Sequence, residues 1–427
     1  MAELESPRRV LVTGTFDVAN YGDLLFPLVA AHRLNAAGIK VVPVSPTANL
    51  AGYSDAPRPI EAAAMTSTDA QGVLIGGGYI IIGRSADTLP PYQRAGVAGH
   101  AYPSLWMGAT LAGAVLDVPV VWNAPGAPHP FSAARREALV TPALRAASYL
   151  AVRDCGTARL LDAEELAIEV VPDTALDLPK LWPLAGLREV FRNFLARKHL
   201  AGDTACLALH VRARSLASID VGTFARRLDD LARRHQVLPL LLVLGPVLGD
   251  LPVLRALSEQ LTVPHILLDD AVSLRELAAA IAFSACYLGG SLHGYVTAAA
   301  YGTPGALVAL PARPKYSGLV EQIGRAEDLA VSWDEGFLHA DALLTRRGRT
   351  ILPGHVGQAL DRHWTRVVQA FGDREIGRKP RADFLRAYMR EGARLEGAGW
   401  AVGAHLSGPG PGPRQGPGGT ALAVGRK

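Results

Sequence analysis

The chain has 427 residues, 49% hydrophobic and 19% charged, with 43 Lys and Arg against 39 Asp and Glu. That length suggests two domains, or three, each large enough for its own core, and the apolar share excludes a mainly disordered chain. A formal net charge of +4 gives no support to nucleic-acid binding, and no apolar run reaches the roughly 18 residues of a membrane-spanning helix.

Short β-branched runs alternate with longer segments of helical period, the pattern of a parallel sheet flanked by helices. Residues 9–13 read as a strand. Residues 23–36 read as a helix, with Leu24, Leu25, Leu28 and Val29 on one face. Further strands are expected at 41–44, 72–75, 119–122, 149–152 and 168–171, with helices at 104–116 and 132–146. Residues 172–186, carrying Pro172, Pro179 and Pro183, read as a linker. The second half repeats the rhythm, with strands at 205–211, 238–244, 265–268, 285–288 and 306–310 and helices at 221–234, 253–261, 273–283 and 293–301.

The expected fold class is α/β, two Rossmann-like domains facing a cleft. The first covers residues 1–178 and the second 179–372, followed by a helical segment over 373–398 and a tail over 399–427. In that tail, residues 408–419 hold ten Gly or Pro among twelve, so disorder is expected. Arg386, Arg390 and Arg394 recur every four residues and read as a solvated helix face. Cys155, Cys206 and Cys286 lie far apart without a CxxC pair, and the polar N-terminus shows no signal-peptide core, which favours a reduced cytoplasmic setting.

In open α/β sheets ligands sit beyond the carboxyl ends of the strands, so the loops there carry the candidate chemistry. Asn20-Tyr21-Gly22-Asp23 ends the loop after the first strand. Asp23 either caps the helix that follows or, with Asn20, faces the cleft, where Gly22 would permit close approach. Gly76-Gly77-Gly78-Tyr79 follows the strand at 72–75, either as a tight turn or as a place where a ligand meets backbone. Arg212 and Arg214 follow the strand at 205–211; either they form surface salt bridges or their guanidinium forks clamp a carboxylate or phosphate. Ser291-Leu292-His293 lies between Gly290 and Gly294 and delivers a histidine to a helix N-terminus, a place that attracts anions and suits proton transfer near neutral pH. Lys315 begins a later helix and could add positive charge to the same cleft. No histidine or cysteine spacing suits a metal, and neither GxSxG nor Walker A occurs.

Taken in order, these elements resemble the polysaccharide pyruvyl transferase family. The resemblance rests on Asn20-Tyr21-Gly22-Asp23, Gly76-Gly77-Gly78, Ala151-Val152-Arg153-Asp154, Val171-Pro172-Asp173-Thr174-Ala175-Leu176, Ser291-Leu292-His293-Gly294 with Gly302-Thr303-Pro304, and Lys315 before residues 319–324. It implies a GT-B-like pair of domains and a cytoplasmic enzyme of exopolysaccharide or cell-envelope biosynthesis. Such an enzyme moves the pyruvyl unit of phosphoenolpyruvate onto two sugar hydroxyls as a cyclic ketal and releases phosphate. No cofactor beyond that donor is implied, and the acceptor would be a sugar or lipid-linked glycan, which leaves peripheral membrane contact open. By similarity Arg212, Leu292 and His293 hold the donor, with Arg214, Ser291 and Lys315 beside them. His293 would act as acid and Asp23 as acceptor of a hydroxyl proton, and Asn20, Gly22, Gly77, Gly78 and Tyr79 would line the acceptor side. Ser291 stands where many relatives have arginine, so Arg214, Arg313 or Lys315 would have to supply the missing charge. Two other readings fit the same residues: a nucleotide-sugar glycosyltransferase of GT-B type, and a non-catalytic glycan-binding paralogue.

Overall fold

The computed structural model describes residues 8–216, 219–397 and 399–400. The Gly/Pro-rich stretch expected to be disordered lies outside the described residues. Seven strands build the first half: β1 (Arg8–Thr13), β2 (Ile39–Ser45), β3 (Ile60–Glu61), β4 (Val73–Ile75), β5 (Val120–Trp122), β6 (Ala151–Val152) and β7 (Glu169–Val170). The first five form a sheet in the order β3-β2-β1-β4-β5, with every pairing parallel. Tyr149 bridges Val121 and leads into β6, which pairs with β7 (Glu169–Val170).

The second half has β8 (Cys206–His210), β9 (Leu238–Leu242), β10 (Ile266–Leu268), β11 (Cys286–Gly289), β12 (Gly305–Val308) and β13 (Leu329–Ala330), in the order β10-β9-β8-β11-β12-β13. Both halves thus wind outward from their first strand and then reverse, as dinucleotide-binding sheets do. β8 and β11 are buried on both faces, which is why they read as continuous apolar runs and do not alternate. Each sheet has its switch point beside its first strand, between β1 and β4 and between β8 and β11.

The two halves share one hydrophobic cluster. It runs from Phe26 and Val29 on the helix Tyr21–Asn35 to Leu277 and Ile281 on the helix Leu274–Ala282. Polar contacts lock the same seam. Tyr21 N donates to Leu244 O at 2.7 Å, and Asp55 accepts Leu274 N at 2.6 Å and Arg275 N at 3.0 Å, so an acid from one half caps a helix of the other.

Two expectations about the chain's organisation change. Residues 172–186 are not an extended linker. Thr174–Asp177 and Leu178–Leu181 are helical turns and Leu184–Arg197 is a helix, with Trp182 and Leu187 buried. Pro179 and Pro183 sit at or just before helix starts, where the missing N–H costs nothing. The helix Gly354–Gly372, assigned to the second unit from the sequence, packs on the first sheet: Phe371 lies over Gly72, and His363 Nε2 is 3.0 Å from Asn123 Oδ1. The helix Arg378–Glu396 follows it there and buries Phe384 among first-half residues such as Leu105 and Trp122.

Candidate functional site

The carboxyl ends of both sheets open onto a cleft of about 760 Å³ between the halves. Nine of the residues singled out from the sequence line it: Asn20, Asp23, Tyr79, Arg212, Arg214, Ser291, Leu292, His293 and Lys315. Their common origin is topological, since each follows β1, β4, β8, β11 or β12 at its carboxyl end.

The glycines behave differently from expectation. Gly22, Gly77 and Gly78 are buried and do not line the cleft. A Cβ on Gly22 would run into the His293 imidazole, and one on Gly77 into the Phe26 ring. Gly78 has φ +89° and lies under Asp23 Oδ1. These glycines let side chains of the site rest on backbone, so the close approach is by protein and not by ligand.

Asn20 occupies the N-cap position of the helix Tyr21–Asn35, yet neither its side chain nor that of Asp23 caps the helix. Thr15 Oγ1 donates to Asp23 Oδ2 at 2.7 Å and Asn20 Nδ2 donates to the same oxygen at 2.6 Å. Asp23 is thereby fixed as a cleft-facing carboxylate next in sequence to the glycine that carries His293.

His293 opens the helix Leu292–Tyr301. Ser291 caps that helix, accepting Gly294 N at 3.3 Å. The imidazole is half-buried, edge-on to Phe26 with ring centroids 5.3 Å apart. Its Nε2 lies 3.4 Å from Asp173 Oδ2. Burial pushes the Asp173 carboxyl up, but the facing His293, the guanidinium of Arg153 and the Ala175 N–H outweigh it and hold the group below its ordinary range. Asp173 is therefore an ionised brace behind the histidine.

The strand β8 ends at His210. Arg212 is extended and Arg214 falls in the turn Ala213–Ser215, so both reach the cleft without the simple alternation expected of a longer strand. His210, wholly buried beneath them, is 3.3 Å from Asp250, whose Oδ2 also accepts the N–H groups of Leu244 and Gly245. Lys315, in the first turn of the helix Pro314–Gln322, is half-buried with its Nζ 5.1 Å from the ring centroids of both Tyr79 and Tyr316. Its enclosure in the cleft, with Arg153, Arg212, Arg214 and Arg313 around it, holds its pKa well below the ordinary lysine value. Among the described residues no carboxylate lies within ion-pair distance of Arg212, Arg214, Arg313 or Lys315.

Arg153 and Asp173 were quoted from the sequence only as parts of motifs. Both follow short strands, β6 and β7, so the rule that exposed the other candidates applied to them too. Arg84, His129 and Arg313 also line the cleft and complete a rim of basic side chains. No group of three His, Cys, Asp or Glu suited to a metal occurs among the described residues, and no helix there is long and apolar enough to cross a membrane.

Two Rossmann-like halves with a basic cleft at their switch points define a GT-B-like protein. Solved structures of similar fold include the UDP-GlcNAc 2-epimerase of Neisseria meningitidis bound to UDP-GlcNAc, with TM-score 0.52, 11% identity, and coverage of 85% of this chain and 100% of that one. The UDP-GlcNAc 2-epimerase of Methanocaldococcus jannaschii is comparable, with TM-score 0.51, 11% identity, and coverage of 87% and 97%. A search of curated proteins finds no match. The family model for polysaccharide pyruvyl transferase matches residues 20–310. The chain belongs to that family of transferases.

Proposed function

We propose that this protein transfers the pyruvyl group of phosphoenolpyruvate to two hydroxyls of one sugar as a cyclic ketal and releases phosphate. The observation that carries this reading is a set of cations, Arg212, Arg214, Arg313 and Lys315, without carboxylate partners among the described residues and meeting an Asp-braced histidine in one cleft. A small trianion with a carboxylate and a phosphate suits that charge, and only a proton donor is then needed to start the chemistry.

His293, as its imidazolium, protonates C3 of the enol, and positive charge develops at C2. One sugar hydroxyl adds to C2 while its proton passes to Asp23. The C2–O bond to phosphate then breaks, and the second hydroxyl closes the ketal, its proton leaving with the phosphate. The balance is one phosphoenolpyruvate and one diol giving one ketal and one hydrogen phosphate, with the proton taken by Asp23 returning through solvent to His293. Asp173, 3.4 Å from Nε2, holds the imidazole in position for the donor. Arg212 and Lys315 lie against the donor's anionic groups. On this reading the acceptor is a polysaccharide or glycolipid of the exopolysaccharide or cell-envelope kind, met from the cytoplasmic side, and no cofactor beyond the donor takes part.

The test is phosphate release from phosphoenolpyruvate across a panel of glycan acceptors, with mass spectrometry of each product. A product heavier by one pyruvyl ketal is expected. Nucleotide release from UDP-sugars with no reaction of phosphoenolpyruvate would overturn the assignment.

A further inference from the structure

The cleft does not end at its donor cations. Ile82, Arg84, Pro128 and His129 line both the cleft and a second cavity of about 300 Å³ that continues it over the first half. Arg135 lines this side cavity but not the cleft. The apolar part of the lining includes Ile82, Pro130 and Phe131, and among the described residues no Asp or Glu contributes to it. Neither Arg84 nor Arg135 lies within ion-pair distance of a carboxylate among the described residues. Burial, with Arg84 and Arg313 nearby, pushes the His129 imidazole below its ordinary value, so at neutral pH it offers a hydrogen bond and not a charge. The charge of the side cavity is therefore that of two arginines.

Its walls are tied together before any ligand arrives. Ile81 N donates to Gly126 O at 3.1 Å, Trp106 Nε1 donates to Ile82 O at 3.1 Å, and Arg135 Nη1 donates to Gly83 O at 3.0 Å. The last contact needs a glycine, since a Cβ at Gly83 would come within 2.7 Å of the Phe131 ring and 3.3 Å of Arg135 Nη1. Phe131 in turn packs on Trp106, with ring centroids 5.5 Å apart. One nitrogen of Arg135 is thus held by backbone, which orients the guanidinium and leaves its other N–H groups for a ligand.

Charge and shape narrow the occupant. Arg212, Arg214, Arg313 and Lys315 already meet the three charges of the donor, and Arg84 and Arg135 lie on the half that carries Asp23, where the acceptor hydroxyl gives up its proton. A neutral glycan would leave these two arginines without a counter-charge. An apolar floor suits the C–H face of a sugar ring, and a guanidinium fork suits a carboxylate. A phosphodiester between sugars would bring the charge but no ring to cover that floor.

We propose that the side cavity is an acceptor subsite for an acidic sugar: a uronic acid residue next to the sugar that receives the ketal, with its carboxylate held by Arg84 and Arg135. This deepens the pyruvyl-transfer reading above and rests on it.

The test compares binding of cellobiose and of cellobiouronic acid, which differ only in one carboxylate, by NMR titration of wild type, Arg135→Gln, Arg135→Lys and Arg84→Gln, with and without saturating phosphoenolpyruvate. Wild type is expected to favour the uronate by about five- to tenfold, the worth of one charge-assisted contact at an open site, and to keep that preference with phosphoenolpyruvate bound. Arg135→Gln and Arg84→Gln should each remove most of the preference, and Arg135→Lys should retain part of it. Arg135→Gln should leave phosphoenolpyruvate affinity within about twofold of wild type. A role of Arg135 confined to the Gly83 contact would change both disaccharides alike. Equal or undetectable binding of the two by wild type, or a preference that Arg135→Gln leaves intact, overturns the inference. So does a preference that phosphoenolpyruvate abolishes, because the uronate would then have occupied the donor cations. A wild-type protein that binds no phosphoenolpyruvate overturns the underlying reading, a result distinct from each of these.

Discussion

Two places where polar groups are buried, the cleft and the crossover where the helix Gly354–Gly372 returns to the first sheet, treat them differently. At the crossover His363 sits 3.0 Å from both Asn123 Oδ1 and the Tyr149 hydroxyl, and Asp177 takes the Trp364 indole N–H at 3.0 Å with Lys180 at 3.2 Å; Asn123 Nδ2 is left without a partner among the described residues. In the cleft, Arg153, Asp173, Arg212 and His293 each keep a buried polar atom without a partner among the described residues. The crossover groups are neutral or paired and largely satisfied, and such groups hold a structure together; buried charged groups left unsatisfied, as in the cleft, cost stability and are retained where a ligand supplies the missing partner. The crossover is therefore read as structure and the cleft as function.

That contrast breaks if cleft substitutions behave like crossover ones. The largest effect is expected for His293→Ala, which removes the acid and should lower ketal formation by roughly 10²–10⁴-fold with an unchanged melting temperature. Undiminished turnover would remove His293 from the mechanism, and a large drop in melting temperature would dissolve the distinction between the regions. Gly22→Ala comes next. Its Cβ would strike the imidazole, so it should cost about 1–3 kcal/mol of stability and lower kcat by about 10²-fold through misplacement of His293. A double substitution with His293→Ala should show less than the product of the two losses.

The third expectation concerns protons. The pKa of Lys315 lies well below the ordinary lysine value, and an arriving polyanion raises it. Donor binding should take up as much as one proton and weaken as pH rises, by up to tenfold per unit. Calorimetry in buffers of different ionisation enthalpy measures the uptake, and Lys315→Met should abolish it.

At the crossover the readout is stability. Burial, helped by Arg33, pushes the His363 imidazole from 6.5 down to about 3. The unfolded chain binds a proton there at mildly acidic pH and the folded one does not. Stability should thus fall as pH drops from about 6.5 toward 3, by up to about 1.4 kcal/mol per pH unit. His363→Gln should flatten that slope in pH-dependent denaturant melts and leave turnover at neutral pH unchanged. The smallest effect belongs to the helix Arg378–Glu396. Arg386 pairs with Asp383 at 2.7 Å and Arg394 with Glu391 at 2.6 Å, each within its own helix and at the surface. Replacing both arginines with alanine should leave melting temperature and donor affinity unchanged.

Much of the site was legible because α/β sheets put ligand-facing residues at a fixed place, the carboxyl ends of strands. That rule alone leads to Asn20, Asp23, Tyr79, Arg212, His293 and Lys315, all of which line the cleft. It reached Arg153 and Asp173 as well, but their strands are two residues long and gave a weak signal. The triple glycine leaves a turn and a ligand-facing backbone equally open, because flexibility next to a strand looks the same whether a ligand or a phenylalanine covers it. Residues 172–186 were misread because prolines mark helix starts as readily as linkers.

The amino-acid sequence by itself determined the strand–helix rhythm, the positions of the polar loops and the family to which they belong. All of these rest on local periodicity and short motifs. Only the tertiary structure decided that Asp173 braces His293, that Arg153 and Lys315 share the Tyr79 ring, and that the C-terminal helices return to the first sheet. Those contacts join residues more than seventy positions apart, and they depend on which half faces which. Apolar burial along the seam and the capping of one half's helix by the other's Asp55 set that geometry, and no spacing along the chain encodes it.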